Sequence, residues 1–248
     1  MNETVGPRVR AMTLAEKASL LSGLDGWHTK PVARRGIPPL LMTDGPHGMR
    51  LSATPDGIPA PATAFPTGVG LAASWNAGLI ETVGRTIGAE CRHNGVDLLL
   101  GPALNIKRSP LCGRNFEYYS EDPWLAGTIA AAFVRGLQST GVGACLKHFA
   151  LNNMEKNRQN SDSVCDPRAL HEIYLSAFER AVRESNPWTV MCSYNKINGT
   201  FASEHHYLMT EVLRDMWGFD GFVMTDWGAL NDRVEAVRAG VELEMPAS

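Results

Sequence analysis

Several short apolar runs in this sequence end on side chains that can do chemistry. Leu40–Thr43 leads into Asp44-Gly45-Pro46-His47-Gly48, and Ala144–Leu146 into Lys147 and His148. Val190–Ser193 is followed by Tyr194-Asn195, and Phe222–Thr225 by Asp226-Trp227-Gly228. Carboxylates and cations hydrogen-bond hydroxyl groups, while an indole face stacks on a sugar ring. The set suits a polyhydroxylated ligand, and paired carboxylates are what cleavage of a glycosidic bond requires. Taken singly, each motif has a plain structural reading. Asp44-Gly45-Pro46 and Asp226-Trp227-Gly228 serve equally well as turns. Lys147-His148 fits a solvated loop, and Tyr194 an ordinary half-buried aromatic. Their recurrence at the ends of successive apolar runs is harder to dismiss, because α/β folds assemble active sites at the C-terminal ends of their strands.

The elements that would position these residues can be read from periodicity. The predicted strands are Leu40–Thr43, Val96–Leu100, Ala144–Lys147, Val190–Ser193, Phe222–Thr225 and Val241–Met245. Between them lie helical patterns. One runs from Pro167 to about Ser185, with Leu170, Ile173, Tyr174, Ala177, Phe178, Ala181 and Val182 on one face and Asp166 as N-cap. Asp122-Pro123 opens another, which ends near Gly141. A third spans Asn76 to Asn94, with Gly95 placed for a left-handed C-cap. Thr13-Leu14-Ala15-Glu16 reads as a capping box. Strands alternating with helices imply parallel pairing, and continuously apolar strands imply coverage on both faces. The fold class is therefore α/β, either a doubly wound sheet or a (β/α)8 TIM-type barrel. Two long irregular stretches, Gly45 to Ser74 and Gly101 to Glu121, read as binding loops.

Composition excludes other classes. The 248 residues are 44% hydrophobic and 20% charged, which rules out a disordered or collagen-like chain. With 23 basic and 26 acidic residues the net charge is −3, and no basic cluster favours a nucleic acid partner. No apolar run approaches the ~20 residues of a membrane span. The N-terminal residues show no signal peptide, and the 5 cysteines are scattered without a C-x-x-C pair. Both features point to a cytoplasmic chain with reduced thiols. The 7 histidines lack metal-ligand spacing, so neither a metal nor a cofactor is expected. Thr67-Gly68-Val69-Gly70-Leu71-Ala72-Ala73 matches the dinucleotide G-x-G-x-x-A pattern, but a proline and a loop precede it in place of a strand. A phosphate-binding barrel is disfavoured because no glycine-rich loop closes the late strands. Arg114 sits in a loop, where an arginine is solvated unless a ligand or carboxylate recruits it.

At these residues the sequence resembles glycoside hydrolase family 3, the β-glucosidase family. The matching stretches are Thr43-Asp44-Gly45-Pro46-His47-Gly48, Gly101-Pro102-Ala103-Leu104-Asn105-Ile106, Gly113-Arg114-Asn115-Phe116-Glu117, Ser120-Glu121-Asp122-Pro123, Lys147-His148-Phe149, Ser193-Tyr194-Asn195, Gly218-Phe219-Asp220-Gly221 and Asp226-Trp227. They span essentially the whole chain in the family's order and are most similar to the bacterial and yeast β-glucosidase branch. The N-acetylglucosaminidase branch continues Lys-His-Phe/Ile with glycine-rich sequence. Here Ala150-Leu151-Asn152-Asn153 follows, so that substrate class is discounted.

The resemblance implies a retaining β-glycosidase that releases a non-reducing-end β-D-glucosyl residue. It makes Asp226 the nucleophile. Asp44, Arg114, Lys147, His148 and Arg158 would hydrogen-bond the sugar hydroxyls, with Tyr194 beside the nucleophile and Trp227 as a wall of the pocket. Lys147 and Arg158 are expected to hold the Asp226 pKa down. The resemblance also implies that the general acid comes from a C-terminal α/β domain outside these 248 residues. Residues 1–248 would then form a barrel that is incomplete or irregular, ending after Val241–Met245 and weak or inactive alone. It would react with activated aryl glycosides and turn over cellobiose poorly. Glu117, Glu121 and Glu155 are candidates for a substitute acid, although an ion pair or hydrogen bond is the simpler role for each. The expected partners are a small β-glucoside or oligosaccharide, and either self-association or a C-terminal domain supplied in trans. The alternative is a non-catalytic sugar-binding or assembly subunit that requires a partner chain.

Overall fold

The structure, a computed structural model, describes residues 5–51 and 60–247. Its strands are β1 (Met42–Asp44), β2 (Leu98–Leu100), β3 (Gly143–Phe149), β4 (Asp162–Ser163), β5 (Thr189–Cys192), β6 (Lys196–Ile197), β7 (Thr200–Phe201) and β8 (Phe222–Thr225). A five-stranded parallel sheet runs in the order β1-β2-β3-β5-β8, with sequential neighbours paired. The short β4, β6 and β7 form a separate small sheet. The main strands are mostly apolar because both of their faces are buried, and their polar exceptions, among them Asp44, Lys147 and His148, fall toward the C-terminal ends of β1 and β3. Met42, Leu98, Leu100, Cys145, Met191 and Met224 pack together in the interior. The intervening Leu99, Ala144, Leu146, Val190 and Val223 belong to the larger core under the helices. This alternation is the pattern of a filled TIM-type barrel.

Main-chain bridges join the two edges of the sheet. Residues 241–245, predicted as a strand, make single parallel bridges, Met224 to Leu243 and Ser22 to Glu244. Gly23 then bridges Thr29, and His28 bridges Leu41 beside β1, both antiparallel. The Glu244 N–H donates to the Leu21 carbonyl at 2.9 Å, and the Met42 N–H to that of Trp27 at 2.9 Å. Of the two expectations, an incomplete or an irregular barrel, irregularity is seen at this seam. A regular strand fails at 241–245 because side chains take ladder positions: the Val223 N–H donates to Glu242 Oε2 at 2.7 Å, and the Met245 N–H to Thr225 Oγ1 at 2.8 Å.

The helices are α1 (Val5–Arg10), α2 (Leu14–Ser19), α3 (Gly68–Ala72), α4 (Ala77–His93), α5 (Pro123–Gln138), α6 (Pro167–Ala169), α7 (Ser176–Ser185) and α8 (Arg233–Ala239). The predicted caps form. Both bonds of the Thr13–Glu16 capping box are present. Asn76 accepts from the Leu79 N–H, Asp122 from Trp124 and Leu125, and Asp166 from Ala169. Gly95 adopts φ +73°. Residues Leu170–Leu175 join α6 to α7 in wider π-helical turns, which displace side chains from a 3.6-residue face. Ile173, predicted on the buried face, is 41% exposed. A second π-helical segment, Tyr207–Met216, and helix α8 were not anticipated from the sequence. Gly101–Glu121 is irregular as expected. Gly45–Ser74 ends in α3, and its Pro55 and Pro59 lie outside the described residues.

Helices α4 and α5 pack through glycines. A Cβ on Gly136 would lie 2.0 Å from the Glu81 carbonyl oxygen, and one on Gly84 2.4 Å from that of Phe133. The G-x-G segment has a similar use. A Cβ on Gly68 would meet the Glu117 carbonyl oxygen at 2.2 Å, so this glycine admits the loop that carries Arg114.

Candidate active site

The fold brings the expected nucleophile and all seven expected sugar-binding residues to one cavity of about 190 Å³, whereas the candidate acids Glu117, Glu121 and Glu155 lie outside its lining. Asp44 ends β1, Lys147 and His148 lie within β3, Tyr194 follows β5, and Asp226 and Trp227 follow β8. Arg114 reaches in from the loop after β2, and Arg158 from the loop after β3. Trp27, Leu100 and Met191 complete the lining. The volume is below the roughly 300–1,000 Å³ of pockets for drug-sized ligands and suits a small ring.

Asp226 is 8% exposed, and its two oxygens differ. Oδ1 accepts from the Tyr194 hydroxyl at 2.9 Å and from the Trp227 N–H at 2.7 Å. Oδ2 has no hydrogen-bond partner among the described residues. It lies 3.5 Å from His148 Nε2 and 4.0 Å from Arg114 Nη1. The expectation that cations hold this carboxyl group down is corrected here. Burial raises its pKa above the ordinary aspartate value, and Lys147, the Tyr194 and Trp227 hydrogen bonds and Arg114 oppose that rise without cancelling it. Arg158 is instead occupied elsewhere: it pairs with Glu155 at 2.8 Å and lies 4.3 Å over the Tyr194 ring.

The other carboxylate of the lining, Asp44, behaves oppositely. Burial pushes its pKa up, but Lys147 at 2.8 Å and Arg50 at 2.5 Å outweigh burial and leave it lowered. Asp44 is thus a stable anion. Lys147 is buried and points its ammonium across the barrel. His148 is neutral, because burial and the Arg114, Lys147 and Arg158 charges drive its pKa well down. Of the candidate acids, Glu117 bonds Arg114 and Glu155 bonds Arg158. Glu121 lines a different surface pocket. Among the described residues no group of His, Cys, Asp and Glu could hold a metal ion.

Trp27 was missed in the sequence. It lies far from Trp227 along the chain, yet the two rings sit 5.5 Å apart at 42°, and Trp227 Nε1 donates to the Gly26 carbonyl at 2.9 Å. Its only local signal is an aromatic in a turn, where Asp25 accepts from the Trp27 and His28 N–H groups. Leu100 and Met191, the inward side chains of β2 and β5, would follow from strand alternation once the strands were fixed.

The family model described as "Glycosyl hydrolase family 3 N terminal domain" matches residues 21–247. The chain belongs to glycosyl hydrolase family 3. Among family 3 relatives, it is 57% identical to thermostable beta-glucosidase B of Acetivibrio thermocellus over 245 residues, which covers 97% of this chain and 32% of that protein. It is 52% identical to an exo-alpha-(1->6)-L-arabinopyranosidase of Bifidobacterium longum, covering 100% of this chain and 34% of that protein. Beta-glucosidase 3B from Thermotoga neapolitana, solved in complex with glucose, superposes with a TM-score of 0.95 at 48% identity. That match covers 98% of this chain and 36% of the other. The family 3 chain thus spans about a third of the length of these curated relatives.

Proposed function

We propose that this chain forms the nucleophile-bearing barrel of a retaining β-glycosidase of the β-glucosidase type. The carrying observation is the asymmetry of Asp226. Tyr194 and Trp227 fix Oδ1, while Oδ2 remains unpartnered in a cavity lined by hydroxyl-binding groups. In this reading Oδ2 attacks the anomeric carbon of a β-glycoside as the aglycone oxygen leaves, forming a covalent glycosyl-enzyme that water then hydrolyses. Asp44, Lys147, Arg114, Arg158 and His148 bind the sugar hydroxyls, and Trp27 and Trp227 form an aromatic wall. The β-glucosidase names of several relatives and the glucose in the Thermotoga structure favour a glucosyl residue. The arabinopyranosidase relative, of similar identity, marks the sugar as the adjustable part of this reading.

Among the described residues, no carboxyl group beside the cavity is free to protonate the leaving group. Asp44 is held as an anion, and Glu117 and Glu155 are tied to arginines. Activated aryl glucosides, whose leaving groups need no proton, are therefore the substrates of choice for assay, and the chain by itself is a weak catalyst on others. The test is covalent trapping. A 2-deoxy-2-fluoro-β-glucoside with a good leaving group should add one fluoroglucosyl unit to the peptide containing Asp226. An adduct on another carboxylate, or none after prolonged incubation with the full-length protein, would overturn the assignment.

A further inference from the structure

His148 is 1% exposed and is held from both sides. Its N–H donates to Asn105 Oδ1 at 2.9 Å, and Asn105 Nδ2 donates back to its carbonyl at 2.8 Å. On the ring, Nε2 faces Asp226 Oδ2 at 3.5 Å, and Nδ1 lies 3.3 Å from the Tyr118 hydroxyl. A neutral imidazole carries a single proton, on one nitrogen or the other.

The surrounding donors select which. Glu155 can only accept, so the amide group that Asn152 turns toward it, 3.1 Å from Oε1, is the NH2. The same Nδ2 donates to the Tyr118 hydroxyl at 3.0 Å. Tyr118 is fully buried, and burial pushes its pKa well up, so it keeps its proton. That proton has two acceptors within reach, His148 Nδ1 and the Asn152 carbonyl at 3.2 Å. If it went to the carbonyl and Nδ1 carried the imidazole proton, the bare lone pair of Nε2 would face the Asp226 carboxylate. Donation to Nδ1 instead leaves Nε2–H facing that carboxylate, which the charge favours.

We propose that Tyr118 is a positioning residue whose hydroxyl donates to His148 Nδ1 and holds the imidazole as its Nε2–H tautomer. The cavity is thereby offered a donor at this point and never an acceptor. If the glycosidase reading holds, on which this consequence rests, a sugar hydroxyl meets His148 as an acceptor and keeps its own proton for a neighbouring carboxylate. The same chain of bonds continues through Asn152 and Glu155 to Arg158, so Tyr118 and Arg158 are braced together.

The tautomer is readable without any sugar. In 15N-histidine-labelled full-length chain, two-bond proton–nitrogen correlations should show His148 with a pyridine-type Nδ1 and a pyrrole-type Nε2 at neutral pH. The assignment follows from loss of these signals in His148→Gln. In Tyr118→Phe the two nitrogen shifts should move toward each other as the tautomers mix. A pyrrole-type Nδ1 in the native protein, or unchanged shifts in Tyr118→Phe, would overturn the proposal. Should that variant fail to fold, native chain carrying 3-fluorotyrosine, a stronger phenolic donor, should still move the Nδ1 signal, and an unmoved signal counts against the idea. Glucose titration separates the two readings. Tyr118→Phe should weaken glucose binding roughly five- to tenfold, the loss of about one hydrogen bond. A native chain that ignores glucose while showing the Nε2–H tautomer would overturn the glucosyl part of the glycosidase reading and leave this one standing.

Discussion

Asp226 is set by opposing local effects, with burial raising its pKa and Lys147, Tyr194, the Trp227 N–H and Arg114 lowering it. The proposed attack by Asp226 needs the ionised form, so activity should fall on the acid side as this carboxyl group protonates. Tyr194→Phe removes a hydrogen bond that stabilises the anion, and the pKa should rise further. The acid limb of kcat/KM for an aryl glucoside should therefore move to higher pH, with kcat lower by about ten- to a hundredfold, the range of a hydrogen bond to a charged group. An unmoved acid limb in the pH–rate profile would show that the Tyr194 bond does not tune Asp226. That Asp226 lines the cavity was legible from its place after an apolar run. Its pKa was not, because desolvation comes from residues distant in sequence, and nearby cations alone suggested the wrong direction.

The helices divide along a similar line. Caps such as Asp122, Asp166 and the Thr13–Glu16 box are satisfied within three residues, so sequence spacing suffices to find them. The Tyr207–Met216 segment was overlooked although its buried Leu208, Met209, Val212 and Leu213 recur at three- and four-residue spacing, the ordinary signature of a helical stripe. Gly136 was unremarkable in the sequence and matters only because α4 crosses it, with the Glu81 carbonyl where a Cβ would be. Gly136→Ala should force α4 and α5 apart and cost about 1–3 kcal/mol, the usual range for overpacking. Chemical denaturation should show the midpoint falling at unchanged slope. A midpoint equal to the native value would mean that the two helices separate freely.

At the scale of the molecule, the Asp44–Lys147 pair ties β1 to β3 across β2, and so links the barrel wall to the site. The folded Asp44 pKa is lowered, so its stabilisation is present above the unfolded value and is lost as pH falls through the folded one. Asp44→Asn should cost about 1–3 kcal/mol near pH 7, below the range for a fully buried pair, because Lys147 loses its ion-pair partner while Asp44 is partly exposed. In urea titrations that deficit should shrink as the pH is taken below about 4, the ordinary aspartate range. A deficit independent of pH would point to lost packing in place of lost charge. The barrel itself was half legible. Alternating apolar runs and helices specify parallel pairing because each strand is buried on both faces, and strand ends locate the chemistry. By itself the sequence determined the caps, the main strands and the polar residues that follow them, since these depend on neighbours within a few positions. Only the tertiary structure decided how the edges join, through the side chains of Glu242 and Thr225 and the turn bearing Trp27, and how Asp226 titrates. Those outcomes depend on contacts between distant segments, which spacing along the chain does not encode.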